Sequence, residues 1–177
     1  MSFKLKVLLC GPAAVGKTSL IYRFIKSKFN ADYKLTVGVD IMTKDVEYGP
    51  RQIATLSIWD IGGQARFEFI RSTFYKGAAG VLLVFDLTRA DTYDQVTSKW
   101  LQEVRQFAGE NIPFILIGNK LDLIKELGEV VDRKAAKNFA ESQNSIYIET
   151  SALDGTAVDE AFLELTRRIV RSRSGGA

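Results

Sequence analysis

Apolar and polar positions fall into two kinds of segment that alternate along the chain. Residues 4–10, 54–59, 80–87, 113–118 and 145–148 are short, nearly continuous apolar runs bounded by Gly, Asp, Asn or Pro, and they predict strands. Residues 17–28, 92–108, 132–142 and 157–171 repeat apolar residues at helical spacing and predict helices. In the second of these, Trp100, Val104, Phe107 and Ala108 are expected on one face, with Lys99, Glu103 and Arg105 elsewhere. Residues 40–48 alternate like a half-solvated strand, and Tyr48-Gly49-Pro50-Arg51 reads as the turn of a hairpin into 54–59. Continuous apolar strands alternating with helices predict a mainly parallel sheet covered on both faces. In such sheets ligands sit at the carboxyl ends of the strands. There is no internal repeat, and of the whole chain only RSRSGGA reads as unstructured.

Composition narrows this picture. The 177 residues, 46% of them hydrophobic, suit one packed domain. Lys+Arg 24 against Asp+Glu 21 leaves a net charge of +3, which calls for no nucleic-acid partner. The single cysteine, Cys10, excludes an internal disulfide framework and suits a reducing compartment. At the end of an apolar run it reads as a small buried hydrophobe or, alternatively, a reactive thiol. No apolar stretch reaches the length of a membrane span, and MSFKLKVLLC leads into the fold rather than into a cleavable signal. A monomer in the cytoplasm is expected. There is no histidine, so Ser-His or Cys-His nucleophile pairs, histidine metal sites and histidine proton shuttles are all excluded.

Gly11-Pro12-Ala13-Ala14-Val15-Gly16-Lys17-Thr18 fits G-x-x-x-x-G-K-[ST] between a predicted strand and a predicted helix. Such a loop turns backbone N–H groups of Ala13, Ala14, Val15 and Gly16 onto an anion, with Ser19 in the helix N-terminus behind them. Lys17 reaches the outer phosphates and Thr18 offers a hydroxyl to Mg²⁺. The bland reading is a Gly-rich turn with Lys17 solvated.

Asn119-Lys120-Leu121-Asp122 follows the apolar run 115–117 and so falls on the ligand side. Guanine presents two donors on one edge, and one carboxylate accepts both, which adenine cannot offer. Asp122 is therefore the expected base reader, with Asn119 bonding the ring and the loop, the Lys120 stem along the base face, and Leu123 beside it. Ser151-Ala152-Leu153, after the last strand, can close over the base with the Ala152 N–H facing the guanine oxygen. Ser151 reads equally as a helix-capping residue.

"LSIWDIGGQARF" supplies the hydrolytic side. Asp60 ends a strand, the position from which a carboxylate holds Mg²⁺. Gly63 lets backbone approach a γ-phosphate, and Gln64 can position an attacking water. Without histidine, positioning and charge stabilisation by Lys17, Gly63 and Gln64 must carry the rate.

In order and spacing, the phosphate loop, "YKLTVGVDI", "WDIGGQARF", "STFYKGAAGVLLVFDLT", "GNKLD" and "ETSAL" resemble the Ras superfamily of small GTPases, and most of all its Rab branch. The resemblance implies a single-domain α/β fold of the P-loop NTPase (G domain) type over residues 1–171. That fold has a mainly parallel six-stranded sheet with one antiparallel strand and helices on both faces. A short flexible tail would occupy 172–177. It implies a switch that binds GTP or GDP with Mg²⁺, hydrolyses GTP slowly and acts in membrane traffic. Thr36 would join Thr18 and Asp60 around the metal; Phe29, unless it packs in the core, would lie on the guanine edge, and Tyr33 would close over the phosphates. Effectors, an exchange factor and an activating protein would read a patch at Ile41, Trp59 and Phe74.

Departures from the family pattern sharpen the expectation. Ala13 stands where many relatives have Gly or Ser, and its Cβ would crowd the attacking water or a partner's arginine finger. Gly62 and Ala65 give "GGQAR" in place of the Rab "AGQER". RSRSGGA has no cysteine for a prenyl group, so either the tail is shortened or no prenyl anchor is used, and peripheral membrane association stays open. Arg167, Arg168, Arg171 and Arg173 read as cations offsetting the helix dipole or as contacts to anionic lipid. Two rivals remain: a GTP-dependent binding module with hydrolysis blocked, and an ATPase, against which Asn119-Lys120-Leu121-Asp122 argues.

Overall fold

The computed structural model describes residues 2–29 and 34–175. Six strands form one sheet: β1 (Phe3–Cys10), β2 (Val39–Gly49), β3 (Gln52–Ile61), β4 (Gly80–Asp86), β5 (Phe114–Asn119) and β6 (Tyr147–Glu149). Their order is β2-β3-β1-β4-β5-β6, with β2 antiparallel to β3 and every other neighbouring pair parallel. The expected architecture is thus present. The apolar runs become strands because both faces are covered: every residue of β4 and of β5 is buried, whereas β2 alternates at the sheet edge.

The period-two pleat sends neighbouring residues of β1 to opposite cores. Leu5, Val7 and Leu9 pack with Leu82, Val84, Ile115 and Ile117 beneath α1 (Lys17–Lys26) and α7 (Val158–Ser174), where Phe24 stacks on Phe162 at 4.0 Å between centroids. Leu8 and Cys10 face the other side, under α4 (Leu101–Ala108) and α6 (Arg133–Ser142). Cys10 is fully buried, as the hydrophobe reading expects, and burial pushes its thiol up to about 12.

Four local expectations are corrected. A helix absent from the expected set, α2 (Glu68–Phe74), follows a 3₁₀ turn at Ala65–Phe67. Its one buried residue is Arg71 while Phe69 stands 92% exposed, so the apolar pattern that announces a helix is missing. The segment expected as one helix over 92–108 is α3 (Ala90–Gln95), a π-helical stretch Val96–Trp100, and α4. There Trp100, Leu101 and Val104 are buried, but Phe107 is 44% exposed and Glu103 turns inward, because Arg71 supplies it with a buried cationic partner. Helix α7 runs to Ser174, so the first three residues of the expected tail are helical, continuing an amphipathic pattern with Arg171 and Arg173 in the last turn. A further short helix, α5 (Ile124–Leu127), was not expected either. No helix among the described residues is long and apolar enough to cross a membrane.

Candidate functional site

The parallel strands β1, β3, β4 and β5 all end at one edge of the sheet, and the loops there gather the expected residues. A cavity of about 420 Å³ opens at this edge, lined by Ala13, Ala14, Gly16, Lys17, Thr18, Ser19, Thr36, Asp60, Gly63 and Gln64 among the expected residues. Tyr22, Lys34, Val37 and Asp40 line it as well.

The loop before α1 is wound around Lys17. The ammonium is buried and donates to the carbonyls of Gly11 at 2.7 Å and Pro12 at 2.8 Å, and burial pushes its pKa down to about 8 against the opposing pull of Asp60. This disposes of the solvated-lysine alternative. Ala14 holds a left-handed φ of 67°, a strained conformation for a residue with a Cβ. Val15 is fully buried beneath the loop.

Three oxygens converge across the cavity floor. The Thr18 hydroxyl donates to Asp60 Oδ2 and lies 2.7 Å from the Thr36 hydroxyl, which is itself 3.2 Å from the same carboxylate oxygen. The other oxygen, Asp60 Oδ1, is buried without a partner among the described residues. Burial raises the Asp60 pKa, and the Thr18 hydrogen bond and Lys17 charge oppose that shift. A hard cation that keeps waters and takes few protein oxygens fits this donor set, and the unpartnered oxygen is what such a cation would use.

Gly63 arches over the loop: a Cβ there would meet the Gly11 carbonyl and lie 2.6 Å from the Ala13 nitrogen. Its lack of a side chain is therefore required by backbone against backbone. Gly62 meets the preceding segment likewise, since a Cβ would come 2.7 Å from the Thr36 carbonyl. The Gln64 side chain accepts from Arg66 Nε at 2.7 Å, and its carbonyl accepts from Arg71 at 3.2 Å.

The second cluster is joined to the first by side chains. Asn119 Nδ2 donates to the Val15 carbonyl at 2.9 Å, crossing so close to Gly16 that a Cβ there would collide, and Asn119 Oδ1 accepts from Thr150 at 3.0 Å. Lys120 reaches the Ala14 carbonyl at 2.9 Å and the buried Asp86 carboxylate at 2.8 Å. Ser151 donates to Asp122 Oδ1 at 2.8 Å and also accepts from the Asp154 N–H at 3.2 Å, so it serves the carboxylate and the local turn together. Leu123 half-covers this corner, Ala152 is buried and Leu153 is 49% exposed.

Some anchors carry no signal in a local pattern. Arg23 on α1 donates to the Ala152 carbonyl at 2.9 Å and to that of Leu153, tying the last loop to the first helix. Arg89 donates to the Ala13 carbonyl at 3.3 Å. Pairings across 130 or 76 residues are invisible to spacing. Phe29 is 41% exposed and is not a core residue; Tyr33 lies outside the described residues. Ile41 pairs in register with Trp59, whose ring lies 6.2 Å from that of Phe74, so these three form one partly exposed surface.

Known proteins match the whole of this frame. The Ras family matches over residues 6–171. The Ras-related protein RGP1 of Oryza sativa subsp. japonica is 41% identical over 97% of this chain and 74% of its own length. RABA4d, a Ras-related protein of Arabidopsis thaliana, is 40% identical over 97% of this chain and 75% of its own. The GTP-binding protein ypt1 of Schizosaccharomyces pombe (strain 972 / ATCC 24843) is 40% identical over 93% of this chain and 79% of its own. With a parallel sheet whose carboxyl edge carries a buried loop lysine and an Asn119-Asp122 corner, and with relatives at this identity along nearly its full length, the chain belongs to the Ras family and is a small GTPase.

Proposed function

We propose that the chain is a Rab-like switch of membrane traffic, binding GTP or GDP with Mg²⁺ and hydrolysing GTP slowly. The observation that carries the reading is the convergence of Thr18, Thr36 and Asp60 on one point beside the phosphate loop, with Asp60 Oδ1 left free. Thr36 belongs to a segment outside the sheet. Thr18, Thr36 and Asp60 would hold the metal, which supplies charge neutralisation at the outer phosphates.

The other roles follow from chemistry at named atoms. Ala13, Ala14, Val15, Gly16 and Ser19 offer backbone and hydroxyl donors to phosphate oxygens, and the Lys17 ammonium moves from its two loop carbonyls onto the outer phosphates. Asp122 accepts from the two guanine donors while Ser151 holds its other face, Ala152 meets the base oxygen, Asn119 and Lys120 frame the ring, and Leu123, Leu153 and Phe29 cover it. Tyr33 closes over the phosphates by family resemblance alone. Gln64 positions the water, Gly63 lets the backbone approach the γ-phosphate, and the Ile41, Trp59 and Phe74 surface offers effectors and regulators a face that differs between nucleotide states. No arginine of the loop itself is placed to act on the γ-phosphate, which keeps turnover slow.

A second reading has its own support: the Gln64 side chain is engaged by Arg66 and Ala13 lines the cavity, as a GTP-dependent module with blocked hydrolysis would have it. Identifying the nucleotide that co-purifies, and following single-turnover hydrolysis of bound GTP in the parent and in Gln64→Leu, decides between them. Slow conversion that the substitution slows further supports the switch. Conversion equally slow in both supports the module, and co-purifying ATP would overturn the guanine reading.

A further inference from the structure

A second cavity, of about 380 Å³, lies at the opposite edge of the sheet from the phosphate loop, where β5 begins. Its walls are the end of α4 with Arg105, the residues 110–113 that lead into β5, the turn at Gln143 and Asn144, and the last turns of α7 with Arg168, Arg171 and Ser172. Three guanidinium groups therefore line it against one carboxylate, Glu110.

Where arginine pairs with a part-buried carboxylate elsewhere in this protein, it does so in one manner. Arg71 grips Glu103 with Nε at 3.1 Å and Nη2 at 2.9 Å, and Arg133 grips Glu149 with both Nε, at 2.6 Å, and Nη2. Those are two-pronged, charge-assisted pairs. The cavity arginines are bound differently. Arg168 Nε is buried and has no hydrogen-bond partner among the described residues, standing in a long ion pair 3.7 Å from Glu164, while its Nη1 donates to the Asn144 carbonyl at 3.3 Å. Arg171 reaches the same Glu164 oxygen at 3.4 Å, so one carboxylate oxygen is shared by two cations at long range. Arg105 has no ion pair among the described residues, and its guanidinium lies 5.9 Å over the Phe114 ring. Helix dipoles account for cations at the ends of α4 and α7. They do not account for a buried Nε donor left without a hydrogen bond beside a cavity of ligand size.

We propose that this cavity binds a small phosphorylated polyol, its phosphate monoester held by the Arg105 and Arg168 forks and its hydroxyls met by Gln143, Asn144 and Ser172. The planar fork matches a phosphate in two-pronged geometry, and the volume, close to that of the nucleotide-side cavity, leaves room for the organic body beyond one phosphate. The same chemistry occurs in a soluble sugar or inositol phosphate and in an anionic phospholipid headgroup. The site is separate from the nucleotide and does not rest on the GTPase reading.

The test is calorimetric titration of the full chain, loaded with GDP and Mg²⁺ so that the phosphate loop is filled, with inositol 1,4,5-trisphosphate. One saturable site per chain is expected. Arg105→Gln with Arg168→Gln should weaken it by about 100-fold, roughly tenfold for each lost charge-assisted pair. Arg173→Gln removes the same charge outside the cavity and should leave affinity within about twofold. Ser172→Glu, exposed at the rim, puts a carboxylate in the mouth without touching the core and should also abolish binding, while GDP retention and melting temperature stay unchanged. Vesicles separate the sources. Recruitment by phosphatidylinositol bisphosphate but not by phosphatidylserine of equal charge, lost in Ser172→Glu, identifies a headgroup; calorimetric binding without recruitment identifies a soluble ester. Absence of binding up to about 1 mM, insensitivity to Arg105→Gln with Arg168→Gln, or equal loss with Arg173→Gln would overturn the proposal.

Discussion

The two halves of the nucleotide site are built to different standards. At the base corner Asn119, Thr150 and Ser151 are buried and tied together by side chains: Asn119 to the loop and to Thr150, Ser151 to Asp122, Lys120 to Ala14 and Asp86. At the γ-phosphate side, Leu35, Val37 and Phe69 face solvent, the Gln64 side chain bonds only Arg66 two residues on, and α2 buries one residue, Arg71. The base corner is preorganised before any ligand arrives; the hydrolytic side is completed by what binds.

The most severe challenge to that division is Asp122→Asn. An amide puts a donor against the guanine amino group, and a site built around such a pair commonly rejects the mismatch by about 10⁴-fold. GTP should bind far more weakly and xanthosine triphosphate, with an oxygen there, more tightly. Joint weakening of both would show that Asp122 does not read the base.

Next in size is Glu103→Ala, which strands the Arg71 guanidinium. Removing one partner of a buried pair costs about 3 kcal/mol, and Arg71 also carries the Gln64 carbonyl, so unfolding should come earlier in denaturant and hydrolysis should slow. GDP affinity should stay within a few-fold. If it falls in proportion to stability, the halves are one cooperative unit.

Gln64→Leu should slow hydrolysis by roughly tenfold or more and leave GTP affinity within a few-fold, because a group that positions water contributes to the transition state alone. Hydrolysis as fast as the parent's would mean that Gln64 stays with Arg66 throughout. Ala13→Gly is the gentlest probe: with one methyl removed at the mouth, a rise of a few-fold in hydrolysis, or in the response to an activating protein, is expected in single-turnover assays. No rise in either clears Ala13 of crowding the water.

Legibility in the sequence followed the same line. Strands, phosphate loop and base corner were readable because apolar continuity and fixed motif spacing encode them locally. Helix α2 was not, since it presents Phe69 outward and buries Arg71, the reverse of the usual pattern. Spacing sets Glu103 off the Trp100 face for the same reason: its inward turn depends on an arginine 32 residues away. Thr36 has no local signal and is legible through the family resemblance alone, which the structure's placing of it beside Thr18 matches, while Arg23 and Arg89, which tie loops to the scaffold, have no local signature at all.

Cys10 closes the strand that delivers the phosphate loop, and its consequence is redox indifference. Peroxides and disulfides are attacked by thiolate, not thiol. With burial holding the group at about 12, on the order of one molecule in 10⁵ carries the anion at neutral pH, and that anion is walled off from solvent. Oxidants that retune proteins with exposed, acidic cysteines meet no such thiolate at Cys10.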